Sequence, residues 1–276
     1  MKRTRLAAAM VIGLAALPAH AASPQHDAVP VAGALLPHKI SYTLNLARLK
    51  AGSLVAAGGK ANYQLRDACD SWSSSQKLEV QIMSGDGSTS VVTYQSATLE
   101  DKKGRRFLFR TVQSQDGETT SETAGEAIRQ RHGQVVVHFT KPDMKTITLP
   151  AATVFPVQFT GALLEAAHNG ALHLQSQIFD GTSADGSTPN YVTLGTLAPA
   201  TPGFDSPPFA EGMAVPVSVA SFGGGDSSLL PDSTYSDRLW TNGVEDKLLI
   251  DFGDYVLSGQ IDSLTPLPAA SCSQTR

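Results

Sequence analysis

One pattern constrains this chain more than any other. Apolar and polar residues alternate in short runs along most of its length, and glycine-bearing turns separate the runs. Ile40, Tyr42, Leu44 and Leu46 alternate with Ser41, Thr43 and Asn45. The period returns at Leu78, Val80, Ile82, at Val135, Val137, Phe139, at Val215, Val217, Val219 and at Leu248, Ile250, Phe252. In a final run Tyr255, Leu257 and Ile261 alternate with Ser258, Gln260 and Asp262. Period two puts every second side chain on one face, so each run predicts a strand with one buried side. Gly58-Gly59, Gly85-Asp86-Gly87, Asp116-Gly117, Asp180-Gly181, Asp185-Gly186 and Asn242-Gly243 read as turns, because Gly, Asn and Asp reach the positive φ of tight hairpins. Strands joined by hairpins form an antiparallel meander, and a long meander must curl or close to hide its edges. The expected fold is mainly β: a long antiparallel meander wound into a spiral or open barrel around one α-helix.

That helix is predicted from Pro156 to His168, with proline at a first helical position and Gly170 just past the end. Phe159, Ala162, Leu163, Ala166 and Ala167 fall on one face, which is expected to plug the apolar interior of the curled sheet.

The N-terminus points to export. Lys2, Arg3 and Arg5 precede an apolar run from Leu6 to about Leu17, and Ala19-His20-Ala21 follows. A basic start, a short apolar stretch and an A-x-A site make a cleavable signal peptide over residues 1–21. An anchor helix is the other reading, but a span needs about 20 apolar residues. The expected product is a soluble periplasmic protein with a flexible leader over 22–36 and one β-spiral domain over 37–276. Removing Lys2, Arg3 and Arg5 leaves 18 basic against 25 acidic residues, a net charge of −7. That balance argues against a nucleic-acid partner, which calls for a basic stripe. No later stretch is apolar and long enough for a transmembrane segment.

The chain has two cysteines, Cys69 and Cys272. In an oxidising compartment an even count reads as one disulfide, the other reading being two free thiols. Motifs for chemistry are weak. Ser74-Ser75-Gln76-Lys77 matches S-x-x-K, but it sits in a strand-like run and lacks the companion elements of that enzyme class. The histidines show no metal-ligand spacing, and Asp180–Gly186 lacks the ligand pattern of a calcium loop. No metal site, cofactor or catalytic residue is expected. Phe204, Phe209 and Phe222 stand in Pro- and Gly-rich loops at 199–212 and 222–226. Aromatic rings on loops suit a contact surface, so these three are the candidate binding residues.

Several segments in order carry a family resemblance: Pro37-His38 opening a strand, Gly58 to Tyr63 and Cys69, Leu149-Pro150 and Phe155-Pro156 before the helix, Phe179-Asp180-Gly181, Asn242-Gly243, Asp251-Phe252-Gly253-Asp254 and Cys272. In these the chain resembles the EipB-type periplasmic cell-envelope integrity proteins. The resemblance implies a spiral antiparallel sheet around a helix, bridged cysteines, and a role in keeping a Gram-negative envelope intact without established catalytic residues. The expected function is therefore non-enzymatic: support of envelope integrity through binding a periplasmic protein or envelope component. The alternative is a carrier of a lipid or other apolar ligand in the sheet interior.

Overall fold

The computed structural model describes residues 35–50, 54–203, 212–223 and 230–272. The first half of the chain is a run of hairpins: β1 (His38–Leu49), β2 (Leu54–Ala68), β3 (Ser71–Ser84), β4 (Thr89–Asp101), β5 (Arg106–Gln115), β6 (Glu118–Arg129), β7 (Val135–Lys141) and β8 (Lys145–Leu149). The short β9 (Thr153–Val154) leads into α1 (Pro156–His168). Then come β10 (His173–Ile178), β11 (Thr188–Leu194), β12 (Ala198–Ala200), β13 (Gly212–Ser221), β14 (Ser233–Trp240), β15 (Glu245–Asp251) and β16 (Tyr255–Pro266). The alternating runs read from the sequence fall in strands, except that Phe252 lies one residue past the end of β15, and the helix has the predicted bounds.

All 16 strands among the described residues belong to one sheet. The first and last strands are neighbours, β1 pairing with β2 on one side and β16 on the other. From there the sheet grows both ways, to β8 at one end and β9 at the other. Those two ends are consecutive in the chain, separated only by Pro150, Ala151 and Ala152. A sheet whose two edges are joined by so short a link must bend round on itself, which gives a nearly closed, barrel-like shape.

Side chains fasten the seam. The Arg129 guanidinium donates to the carbonyls of Gly104 (2.9 Å), Gly133 (3.0 Å), Ala151 (3.0 Å) and Thr153 (2.7 Å), tying β6 to the link between the two edges. Phe107, Phe109 and Phe139 from one arm meet Phe155 and Phe179 from the other, with ring centroids 4.9 Å apart for Phe107–Phe155 and 5.2 Å for Phe109–Phe179. Gly181 lies flat on Phe109: a Cβ there would come within 2.5 Å of the ring, and its φ of +77° excludes most other residues. Its carbonyl accepts the Thr123 hydroxyl. The Phe179-Asp180-Gly181 segment thus reads as a turn in sequence and closes the barrel in space.

Helix α1 lies inside. Leu163, Leu164, Phe159 and Ala167 pack with Leu65, Trp72, Val192, Val215, Val217 and Leu239 of the surrounding strands. At its C-terminus Gly170 adopts φ +71°. Its N–H reaches the Ala167 carbonyl at 3.1 Å and that of Ala171 reaches Ala166 at 2.9 Å, satisfying carbonyls that the helix leaves unpaired.

Two details differ from the sequence reading. Gly58-Gly59 is no turn: it lies within β2, where a Cβ on Gly59 would sit 1.9 Å from the Glu79 carbonyl oxygen. The glycine serves close strand approach, and the real β2–β3 turn is Cys69-Asp70, with Cys69 at φ +65°. The packing also begins two residues inside the stretch read as leader. Leu35 is buried in the helix cluster, and the Leu36 N–H donates to the Asn242 carbonyl at 2.8 Å.

Candidate binding site

Residues directly opposed on neighbouring strands share a face, so the register maps the inner surface. One row runs Trp72, Glu100, Phe107, Ala127, Val137, and the next Ser74, Thr98, Phe109, Gly125, Phe139. The helix start and the phenylalanine cluster occupy these rows. The following rows turn polar: Tyr63, Gln76, Ser96, Thr111, Thr123, then Leu78, Tyr94, Gln113, Ser121. Further out, Val92 stands opposite the buried Val80 yet is 37% exposed, so the inner face is uncovered there.

Among the described residues Glu100 is the most enclosed acid, 1% exposed. The helix N-cap, Phe155, has no side-chain acceptor. Glu100 reaches in from β4 instead, and its carboxylate accepts the N–H groups of Val157 and Gln158 at 2.8 Å each. Burial pushes its carboxyl up to about 8, against the opposite pull of those two amides and Arg129.

A second enclosed group lies on the opposite wall. Asp237 faces inward opposite Val217, between Tyr235 and Leu239 on its own strand, and is 7% exposed. Its Oδ1 has no hydrogen-bond partner. Glu245, opposite the buried Leu239, faces the same way and is half-buried. Three tyrosines surround the pair. Tyr42 donates its hydroxyl to the Glu245 carbonyl at 2.8 Å. Tyr63 joins the helix cluster to the β1–β16 cluster, and Tyr235 packs against the helix cluster. Burial raises Asp237 well above the ordinary carboxylate range, with Glu245 and Asp246 adding repulsion, and lifts Glu245 to about 7. The adjacent cation, Arg238, is committed to Asp246 (Nε to Oδ1, 2.7 Å) and to the Thr201 carbonyl at 3.1 Å.

The outer face carries a shallow depression of about 590 Å³ across β4–β7, with Ala97, Leu99, Leu108 and Ala124 as its floor and Arg110 and Glu126 on its rim. Leu99 there is 37% exposed.

The residues singled out in sequence are scattered. Cys69 and Cys272 are bonded, with Cα atoms 5.7 Å apart, and tie the C-terminal segment to the β2–β3 turn. Phe204 and Phe209 lie outside the described residues. Phe222 folds back edge-on against Tyr191 on the outside of β11, with centroids 5.4 Å apart. Ser74 and Lys77 point to opposite faces: Ser74 bonds Thr98 across the sheet (2.7 Å) and Lys77 pairs with Glu79 (3.1 Å), so they form no dyad. His38 is buried and donates from Nδ1 to the Leu36 carbonyl (2.7 Å), with burial lowering its pKa. Among the described residues no group of three His, Cys, Asp or Glu is placed to hold a metal ion, and no helix is long and apolar enough to cross a membrane. Sequence reasoning missed Glu100, Arg129, Asp237 and Glu245. Only Asp237 left a signal, as an acid on the apolar phase of Tyr235 and Leu239.

A nearly closed, mainly antiparallel sheet that encloses the one helix among the described residues and is cross-linked by one disulfide defines a barrel-like, mainly β scaffold. The chain belongs to the EipB-like family, whose model matches residues 30–268. It is 26% identical over 237 residues to the cell envelope integrity protein EipB of Brucella abortus, covering 83% of this chain and 84% of that protein. Its structure resembles the crystal structure of a β-barrel-like protein of a domain of unknown function from the same organism, with a TM-score of 0.77 and 25% identity over 85% of this chain and 99% of that one.

Proposed function

We propose that this chain is a non-enzymatic binding protein of the periplasm that supports cell-envelope integrity by holding a periplasmic protein or an envelope component. On this reading residues 1–21 are the removed export signal and a single domain follows the leader. The envelope role follows from similarity to the Brucella abortus protein of that name. The observation that carries the binding mode is the outer depression on β4–β7. It presents apolar floor residues with a charged rim on a rigid sheet, the composition of a contact surface. Phe222, half-buried beside Tyr191, is a further contact candidate. The test uses Ala97→Asp with Leu99→Asp. Both residues are exposed, so the double variant is expected to melt with the parent yet fail to restore detergent resistance in a Gram-negative cell lacking this protein. Full restoration would remove this face from the function, and turnover of an envelope substrate by the purified protein would overturn the non-enzymatic reading.

One observation favours the carrier reading as well. Leu78 and Val92 lie on the inner face beyond the helix, and Val92 is left uncovered, as an apolar ligand would require. Lipid found by mass spectrometry in gently purified protein would support it.

A further inference from the structure

Buried acids are ordinarily paired, because an unpaired charge in a low-dielectric interior is costly. Arg129 faces Glu100, Arg105 holds Asp101 and Arg238 holds Asp246. Asp237 and Glu245 depart from that rule: neither carboxylate has an ion-pair or side-chain hydrogen-bond partner among the described residues, and they share one space. The two apolar clusters meet there at Tyr63, so the acids sit at the foot of aromatic and aliphatic walls. Tyr63, Tyr235 and Glu245 are half-buried, whereas Tyr42 and Asp237 are buried. Two carboxylates beneath tyrosine faces are the elements that recognise an organic cation, through charge, hydroxyl acceptors and ring quadrupoles together. An anion would oppose the ionisation of either acid, and an uncharged apolar group would leave Asp237 Oδ1 unsatisfied.

We infer that the cluster of Asp237, Glu245, Tyr42, Tyr63 and Tyr235 binds the ammonium group of an amine-bearing ligand. This deepens the binding reading by naming the ligand's chemistry, and it rests on that reading for its purpose. A bound ammonium supplies the missing donor to Asp237 Oδ1, and the apolar walls accept the carbon body attached to it. The ammonium could belong to a small free amine or to a lipid headgroup.

The full-length mature protein, with its disulfide formed, is titrated calorimetrically with hexylammonium chloride and with hexanol. It is then titrated with lysophosphatidylethanolamine and with the anionic lysophosphatidylglycerol. Hexylammonium is expected to bind and hexanol is not, and Asp237→Asn is expected to weaken the amine by about tenfold or more. Binding of lysophosphatidylethanolamine but not of lysophosphatidylglycerol assigns the ammonium to a lipid, and binding of hexylammonium alone assigns it to a free amine. Should Asp237→Asn misfold, Glu245→Gln on the half-buried neighbour carries the same test. No heat with either amine, or equal affinity in parent and variant, overturns the inference. Envelope function is read separately by the detergent assay, so loss of the amine site with restoration intact leaves the binding role standing.

Discussion

Replacing Glu100 with Gln tests how the helix is held inside the sheet. The change keeps the side chain's shape but converts one of two acceptor oxygens into a donor. Either Val157 or Gln158, both now bonded at 2.8 Å, then turns its N–H toward another N–H. A buried donor left unsatisfied costs about 1–3 kcal/mol. The pH dependence gives a second, independent expectation. The buried carboxyl stands at about 8 against an ordinary 4.5, so between those values the folded chain holds a proton that the unfolded chain has released. The stability from that proton is fully present below 4.5 and is lost as pH rises through about 8. At 1.36 kcal/mol per unit the rise corresponds to on the order of 5 kcal/mol. Asp237 and Glu245 are raised too and add slope of the same sign, so the difference between parent and variant isolates Glu100. Urea midpoints measured in half-unit steps from pH 4.5 to about 9 provide the readout. The parent is expected to lose stability across the window and the variant to lose less. The variant's deficit of about 1–3 kcal/mol therefore narrows with pH and changes sign between about pH 5 and 7. Parallel curves would show that Glu100 does not titrate there and would refute the claim that burial raises its pKa to about 8.

Leu163, 4% exposed in the helix cluster, should lose about 2–5 kcal/mol on replacement by Ala, read as a lower urea midpoint. Leu163→Asp should be worse, and an unchanged midpoint in that variant would place the helix outside the sheet. Cys272→Ser opens a loop spanning a sequence separation of 203, for which the chain-entropy model gives about 5 kcal/mol as a ceiling. Its melting temperature should fall, and an unchanged value would mean that the bridge contributes nothing to stability.

The sequence alone marked the strands that carry period-two runs, β1, β3, β7, β13, β15 and β16, together with the helix and two cysteines able to pair. Period-two runs such as Val215, Val217, Val219 depend only on which face each residue turns to the core, a local property. The helix was equally legible, because Pro156 and Gly170 mark its ends through their own backbone preferences. Spacing could not show what each glycine was for. Gly59 and Gly181 look alike in sequence, yet one allows two strands to touch and the other lies under a ring 72 residues earlier in the chain, at Phe109. Nor could it show the functional chemistry. Glu100 caps a helix that begins more than fifty residues later, and Asp237 and Glu245 cluster with Tyr42 and Tyr63 from the far end of the chain. Burial, the missing partner on Asp237 and the closing of β8 toward β9 exist only once the sheet has curled. They arise from contacts between distant segments, and no local pattern encodes those.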